Sequence, residues 1–174
     1  LDEASLGQGR LLLLAQPRAL APAELVTLDA WVRGGGKALI LTDPVLVWPS
    51  ELALGDIRRP PPVGLLGPLL AHWGLRLEAS EMRGLSVTLN ETRGEARRLA
   101  VAAPGLFESR SDACVTDWDG LRARCEIGDG AAILLADADL LRDQLWAAPG
   151  TRGDERHRRF SDNPLIVADL LDDL

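Results

Sequence analysis

The chain has 174 residues, 47% of them apolar and 26% charged, a composition that supplies one buried core in a single domain. Basic residues number 19 and acidic residues 26, a net charge of −7, which argues against nucleic acid or an anionic membrane surface as a partner. Two cysteines and two histidines are too few for a zinc site of the finger type, and the apolar runs, such as Leu11 to Ala15, fall far short of a membrane span.

The run Leu11 to Ala15, bounded by Gly9-Arg10 and Gln16-Pro17, predicts a short strand buried on both faces. Pro22 opens a helix with Leu25, Leu28 and Val32 on one face and Glu24 in its first turn, and Gly34-Gly35-Gly36 closes it. Lys37 to Leu41 predicts the next strand, followed by Thr42-Asp43-Pro44. Strand, helix and strand in this order form a βαβ unit. Residues 44 to 62 carry Pro44, Pro49, Gly55 and Pro60-Pro61-Pro62, which predicts a long irregular loop holding Trp48. A second helix is expected over Val63 to Trp73, ended by Gly74, with a short strand at Leu75-Arg76-Leu77.

The middle reads as β-structure. Leu85 to Leu89, Arg97 to Ala102 and Ala113 to Cys125 are short β-like runs separated by Gly, Asn, Glu and Ser. Asp119-Gly120 is a two-residue hairpin signal, and a turn centred there sets Trp118 opposite Leu121, Thr116 opposite Ala123 and Cys114 opposite Cys125. This segment is expected to be an antiparallel insertion on a parallel core. Ala131 to Ala136 predicts a further buried strand, ending in Asp137-Ala138-Asp139, then a helix from Leu140 to Trp146. Gly150 to Arg159 is a polar, arginine-rich loop. Asp162 or Asn163 then caps a last helix, with Pro164 at its first position and Leu165, Ile166, Leu170 and Leu174 on its apolar stripe.

Three predicted strands end in polar residues: Gln16, then Thr42 and Asp43, then Asp137 and Asp139. In an open α/β sheet, ligands bind beyond the carboxyl ends of the strands. Gln16, Thr42, Asp43, Trp48, Asp137 and Asp139 are therefore the candidate ligand-binding residues. Asp43, Asp137 and Asp139 have two readings. They hold a hard cation such as Mg²⁺, or each caps a helix or closes a turn. Cys114 and Cys125 fit a disulfide better than a catalytic pair, since neither lies on a strand-to-helix turn and no base is placed beside them. One mismatch stands against the bridge: a two-residue turn puts the two cysteines at a hydrogen-bonded position. Free thiols are the alternative. Arg152, Arg156, Arg158 and Arg159 have two readings, a site for an anion or an acidic partner and a solvated loop, and the interruption by Asp154 and Glu155 favours the loop.

The opening run "LLLLAQPRALAPAELVTLDAWVRGGGKALILTDP" resembles the start of the glutamine-amidotransferase-like domain of bacterial ABC-transporter auxiliary proteins, the gliding-motility component among them. The segments "AAILLADADLLRDQLW" and "DNPLIVADLLDDL" match the strand–Asp–helix and the Asn-headed helix of the same family. The resemblance covers roughly residues 10 to 75 and 130 to 174. It implies an α/β three-layer sandwich with a mostly parallel, flavodoxin-like sheet and an antiparallel hairpin insertion. It implies a periplasmic domain tethered to the inner membrane by segments outside this sequence, with no enzymatic activity and no cofactor. Catalytic amidotransferases carry a cysteine on an elbow and a later His-x-Glu. Here Thr42-Asp43-Pro44 lacks the cysteine and His157 is followed by Arg158-Arg159, so the catalytic set is missing.

The first functional expectation is thus a non-catalytic binding domain, an excised soluble part of a larger membrane-associated protein. Its partners would be transporter subunits, another protein or a sugar-like ligand, and not nucleic acid. The alternative is a metal-assisted hydrolase using Asp43, Asp137 and Asp139. A purely structural spacer is the third.

Overall fold

The computed structural model describes residues 1–47, 49–53, 55–146 and 160–174. A short helix, α1 (Glu3–Leu6), precedes β1 (Leu11–Ala15), α2 (Pro22–Arg33) and β2 (Lys37–Leu41). Then come α3 (Gly67–His72), β3 (Leu75–Ala79), β4 (Leu85–Thr92), β5 (Glu95–Ala102) and β6 (Gly105–Ser109). The chain ends with β7 (Cys114–Asp117), β8 (Arg122–Ile127), β9 (Gly130–Leu135) and α4 (Asn163–Asp172).

Five strands form the main sheet in the order β1-β2-β9-β8-β7. The pairs β1–β2 and β2–β9 are parallel, whereas β9–β8 and β8–β7 are antiparallel. Two further antiparallel pairs, β3–β6 and β4–β5, stand apart as small sheets. This corrects the expected flavodoxin-like three-layer sandwich with a mostly parallel sheet. The arrangement is α+β, with one mixed sheet and two hairpin-like pairs. The physical reason lies in the connections. A parallel strand needs a long crossover, usually a helix, and α2 is the one helix that joins two parallel neighbours directly. After β2 the chain enters the 44–66 segment and then runs through antiparallel pairs. It returns to the sheet as the β7–β8 hairpin, and a tight turn at Gly128-Asp129 leads into β9.

The helices are shorter than their patterns suggested. The second helix begins at Gly67 rather than Val63. The helix expected over Leu140 to Trp146 is a pair of 3₁₀ turns, Asp139–Leu141 and Asp143–Leu145.

One face of the main sheet is buried across its central strands, with Leu12 and Leu14 of β1 half-buried at its edge. Ala38 and Ile40 of β2, Ala132 and Leu134 of β9 and Ala123 and Cys125 of β8 lie on this face, in contact with the core formed with Leu28, Val32, Leu70 and Trp73. The indole of Trp73 donates to Asp29 Oδ1 at 2.7 Å, which ties the end of α3 to α2. Gly130 marks the closest approach. A Cβ on Gly130 would stand 2.0 Å from the carbonyl oxygen of Val32, so only glycine lets β9 start against the end of α2. The opposite face carries Leu39, Leu41, Ile133 and Leu135, buried with Ile166 and Leu170 of α4. At its margins Leu11, Leu13 and Val115 are exposed.

The β7–β8 register puts Cys114 opposite Cys125 and Asp117 opposite Arg122, and the two cysteines are disulfide-bonded. The turn is longer than expected. Trp118, Asp119 and Gly120 all have positive φ (51°, 54° and 86°), so residues 118–121 form a four-residue loop closed by the Asp117–Arg122 pair. Glu126 N donates to Ala113 O at 2.8 Å, which makes that pair hydrogen-bonded and the adjacent Cys114–Cys125 pair non-hydrogen-bonded. Non-hydrogen-bonded positions bring Cα atoms closer, and the separation here is 4.1 Å. The longer loop thereby removes the mismatch that a two-residue turn would impose. Arg122 anchors the loop with two bonds to Asp117 (2.7 and 2.6 Å), its guanidinium 4.0 Å from the Trp118 ring centre.

Candidate functional site

The carboxyl ends of β1, β2 and β9 lie side by side, so the parallel part of the sheet brings Gln16, Thr42, Asp43, Asp137 and Asp139 to one end of the molecule. Every one of them is buried. Trp48, the remaining candidate, lies outside the described residues, as do the arginines of the 150–159 loop.

Gln16 adopts a left-handed backbone conformation (φ 41°), which costs about 1 kcal/mol for a residue other than glycine. The turn aims its side chain across the sheet end. Oε1 accepts from Asp43 N at 2.7 Å, and Nε2 donates to Asp43 O at 3.0 Å and to Pro61 O at 3.1 Å. One side-chain amide therefore clamps the end of β2 and the far end of the proline-rich loop. Thr42 continues the β2–β9 ladder through its N–H to Leu135 O (3.0 Å), and its hydroxyl lies beneath Gly64.

The three aspartates are likewise committed to main-chain amides. Asp43 Oδ1 accepts from Val45 N at 2.7 Å and Oδ2 from Ala138 N at 3.4 Å. Asp137 Oδ1 accepts from Leu140 N at 2.6 Å and Oδ2 from Ala102 N at 2.8 Å. Asp139 Oδ2 accepts from Val47 N at 2.7 Å, while Oδ1 is 3.8 Å from the Arg142 guanidinium. The short-range bonds, to Val45 and Leu140, are the turn closures that Asp favours. The long-range bonds fix the 44–47 segment and β5 against the sheet end.

Charge is unfavourable in this cluster. Burial pushes the Asp43 carboxyl up to about 6, and repulsion from Asp139 adds to it. Burial raises Asp137 well above the usual carboxylate range, with Asp43 and Asp139 contributing further repulsion. Among the described residues no group of three or more His, Cys, Asp or Glu side chains is arranged to hold a metal ion. The geometry agrees, because the carboxylate oxygens converge on backbone N–H groups rather than on one another.

Sequence reasoning missed Asn163 and its neighbours. Asp162 or Asn163 is expected from the sequence to cap the last helix, yet Asp162, at the cap position, makes no side-chain cap bond to α4. Both residues instead serve the outer edge of β5. Asp162 Oδ2 accepts from Arg98 N (2.9 Å) and Asn163 Oδ1 from Ala100 N (2.9 Å), and Asp137 takes Ala102 N. Asn163 Nδ2 also donates to Ala100 O (2.8 Å) and Leu140 O (2.9 Å). Successive outward amides of β5 are thus closed by side chains where a neighbouring strand would sit. The signal in the sequence is the Asp-Asn pair before Pro164, which reads equally well as a cap.

A cleft of about 570 Å³ opens nearby, lined by Pro44, Gly64, Leu70 and Gly74 with Arg76 and Arg110 beside them. None of the described candidate residues lines it. Both arginines face carboxylates of their own, Arg76 to Glu78 at 2.6 Å and Arg110 to Glu108 at 3.6 Å.

No protein-family model matches the sequence, and no curated protein matches it. Among solved structures, the chain is similar to the mmIFT52 N-terminal domain at 13% identity and a TM-score of 0.59, covering 99% of this chain and 81% of that one. It is also similar to the cytoplasmic protein STM3548 from Salmonella typhimurium (11% identity, TM-score 0.58, 98% of this chain and 74% of that one). A third likeness is to a β-galactosidase from Bacillus circulans sp. alkalophilus, at 12% identity and a TM-score of 0.54. There the match takes in 98% of this chain but 23% of the galactosidase, so the chain spans about a fifth to a quarter of the length of such glycosidases. At this identity the likeness is one of fold alone.

Proposed function

We propose that the chain is a non-catalytic interaction domain of an ABC-type transport auxiliary component, acting on the periplasmic face through contact with transporter subunits or another protein. The observation that carries this reading is the commitment of the strand-end residues. Gln16, Asp43, Asp137 and Asn163 spend their side-chain polar atoms, and Asp139 its Oδ2, on loops and on the edge of β5, while the buried Thr42 hydroxyl makes no hydrogen bond among the described residues. A catalytic or ligand-binding set needs side chains presented to a cavity, with a positioned base or an open coordination site. The amidotransferase-like motifs over residues 10 to 75 and 130 to 174 supply the family context. The Cys114–Cys125 bridge suits an oxidising compartment. The metal-assisted hydrolase reading is the less favoured, since the carboxylates of Asp43, Asp137 and Asp139 are buried and each is aimed at backbone amides rather than at one common point.

Two measurements test the proposal. In fractionated native cells, the protein is expected with the membrane fraction, and alkylation under denaturing conditions leaves both cysteines unmodified until a reductant is added. Alkylation of both thiols without reductant, in protein from the cytosolic fraction, would contradict the periplasmic placement. Turnover of amide, ester or glycoside substrates is expected to stay at background. Turnover abolished by Asp137→Asn in a folded variant would overturn the non-catalytic reading.

A further inference from the structure

The β4–β5 hairpin has two edges of unlike chemistry. On the β5 side the outward amides of Arg98, Ala100 and Ala102 are closed by Asp162, Asn163 and Asp137. On the β4 side Ala103 N donates to Gly84 O at 2.9 Å, which fixes the phase of the ladder. Even-numbered residues of β4 bond to β5, and the N–H and C=O groups of Leu85, Val87 and Leu89 point outward. Among the described residues no strand pairs with that edge. Leu85, Val87 and Leu89 share one face and are 52%, 43% and 74% exposed. Natural proteins blunt open edges with lysine, proline or a bulge. β4 contains no lysine or proline, and its pairing with β5 runs without interruption from Leu85 to Thr92.

We propose that this edge is a self-association surface, on which two copies of the chain pair antiparallel through β4 about a two-fold axis at Val87. The inference rests on the β4 edge and is independent of the transport reading. Outward groups meet outward groups only where odd-numbered residues face odd-numbered residues. With the axis at Val87, Leu85 faces Leu89 of the second copy and Val87 faces its own equivalent, so the apolar stripe is continuous across the junction. The same axis sets Arg83 against Glu91, twice by symmetry, and both side chains are exposed. The other axes that keep this phase lose the match. An axis at Ser86 sets Glu81 against Glu91 and Arg83 against Leu89. An axis at Thr88 sets Leu85 against Glu91 and Arg83 against Arg93. Because Gly84 (φ 79°) bends the chain just before the strand, the Arg83 contact is made by its long side chain beyond the ladder. The product joins the two hairpins into one continuous antiparallel sheet, an isologous interface.

Sedimentation velocity of the whole chain over a micromolar to submillimolar series tests this. The wild type is expected to pass from monomer to dimer, and Val87→Lys, which places like charges together on the axis, to remain monomeric. R83E and E91R should each weaken the dimer by about tenfold or more, because each turns both ion pairs into like-charge contacts. Mixing R83E with E91R should restore association, since each cross-contact in the mixed dimer then joins opposite charges. Both charge variants alter exposed side chains, so they carry the test even where Val87→Lys disturbs folding. A wild type that stays monomeric throughout would overturn the proposal. So would a dimer that R83E and E91R leave unchanged, or single variants that associate as well alone as mixed.

Discussion

Replacing Asn163 with alanine is expected to cost about 3–5 kcal/mol of folding stability, the range for breaking a buried hydrogen-bonded network. Asn163 is fully buried, and its side chain serves Ala100 N, Ala100 O and Leu140 O at 2.8–2.9 Å. Alanine leaves Ala100 N and Ala100 O without this partner, while Leu140 O keeps the Trp146 indole N–H (2.8 Å), at roughly 1–3 kcal/mol for each orphaned group. The connection matters as much as the bonds. Through Asn163 the start of α4 is fastened both to the edge of β5 and to the 3₁₀ turn after β9. At roughly 2–4 °C per kcal/mol for a domain of this size, the melting temperature should fall by about 6–20 °C. Asn163→Asp should do no better, because it keeps the acceptor for Ala100 N but removes the donor to both carbonyls. A loss below about 1 kcal/mol would mean that β5 is held by other groups.

The second large effect is a dependence on pH carried by Asp43. Burial, with repulsion from Asp139, lifts its carboxyl from 3.8 to about 6 in the folded chain. The folded state therefore binds more protons than the unfolded state between those values. Stability from this group is greatest below about pH 4 and falls as pH rises toward 6. At 1.36 kcal/mol per pH unit, and allowing for screening, the loss is roughly 1–3 kcal/mol. Glu24, Asp29 and Asp56 are shifted in the opposite sense by hydrogen bonds and nearby charge, so the wild-type curve alone mixes the two effects. The clean quantity is the stability difference between wild type and Asp43→Asn, which keeps an acceptor for Val45 N but does not titrate. That difference should move against the wild type across pH 4–6.5 in urea titrations. A flat difference would show that Asp43 is charged at little cost. Asp137, raised well above the ordinary range by the same burial, extends the trend to higher pH.

Much of the local structure was legible because it depends on neighbours in sequence. The strands Leu11–Ala15 and Lys37–Leu41 stand where their apolar runs and flanking breakers set them, and α2 runs from Pro22 to the glycine triplet. The cysteine register followed from a turn centred on Asp119-Gly120, although the loop proved to be four residues long. What was not legible is how the strands are shared among sheets. Nothing within Leu85–Ser109 shows that β6 pairs with β3 while β4 and β5 pair with each other. A mostly parallel sheet was inferred from the two ends of the chain, where the parallel strands lie.

The strand-end residues were found, but their partners are distant in sequence. Asp137 reaches Ala102, Asp139 reaches Val47 and Asn163 reaches Ala100. A carboxylate at the end of a strand looks the same whether it faces a cation or a remote backbone amide. The distinction becomes physical only when the chain has brought that amide to it, and here each aspartate has one. Asp162-Asn163-Pro164 shows the same ambiguity, since residues suited to cap a helix are equally suited to close the edge of a strand.

The most direct test of this account is the thermal stability of the wild-type chain in millimolar Mg²⁺ or Ca²⁺, against a sodium chloride series of matched ionic strength. If Asp43, Asp137 and Asp139 are spent on backbone amides, the melting temperature should follow the salt control with no saturable increase. A saturable stabilisation by either ion that Asp137→Asn abolishes would contradict the account, and would return the aspartate cluster to the role of a metal site.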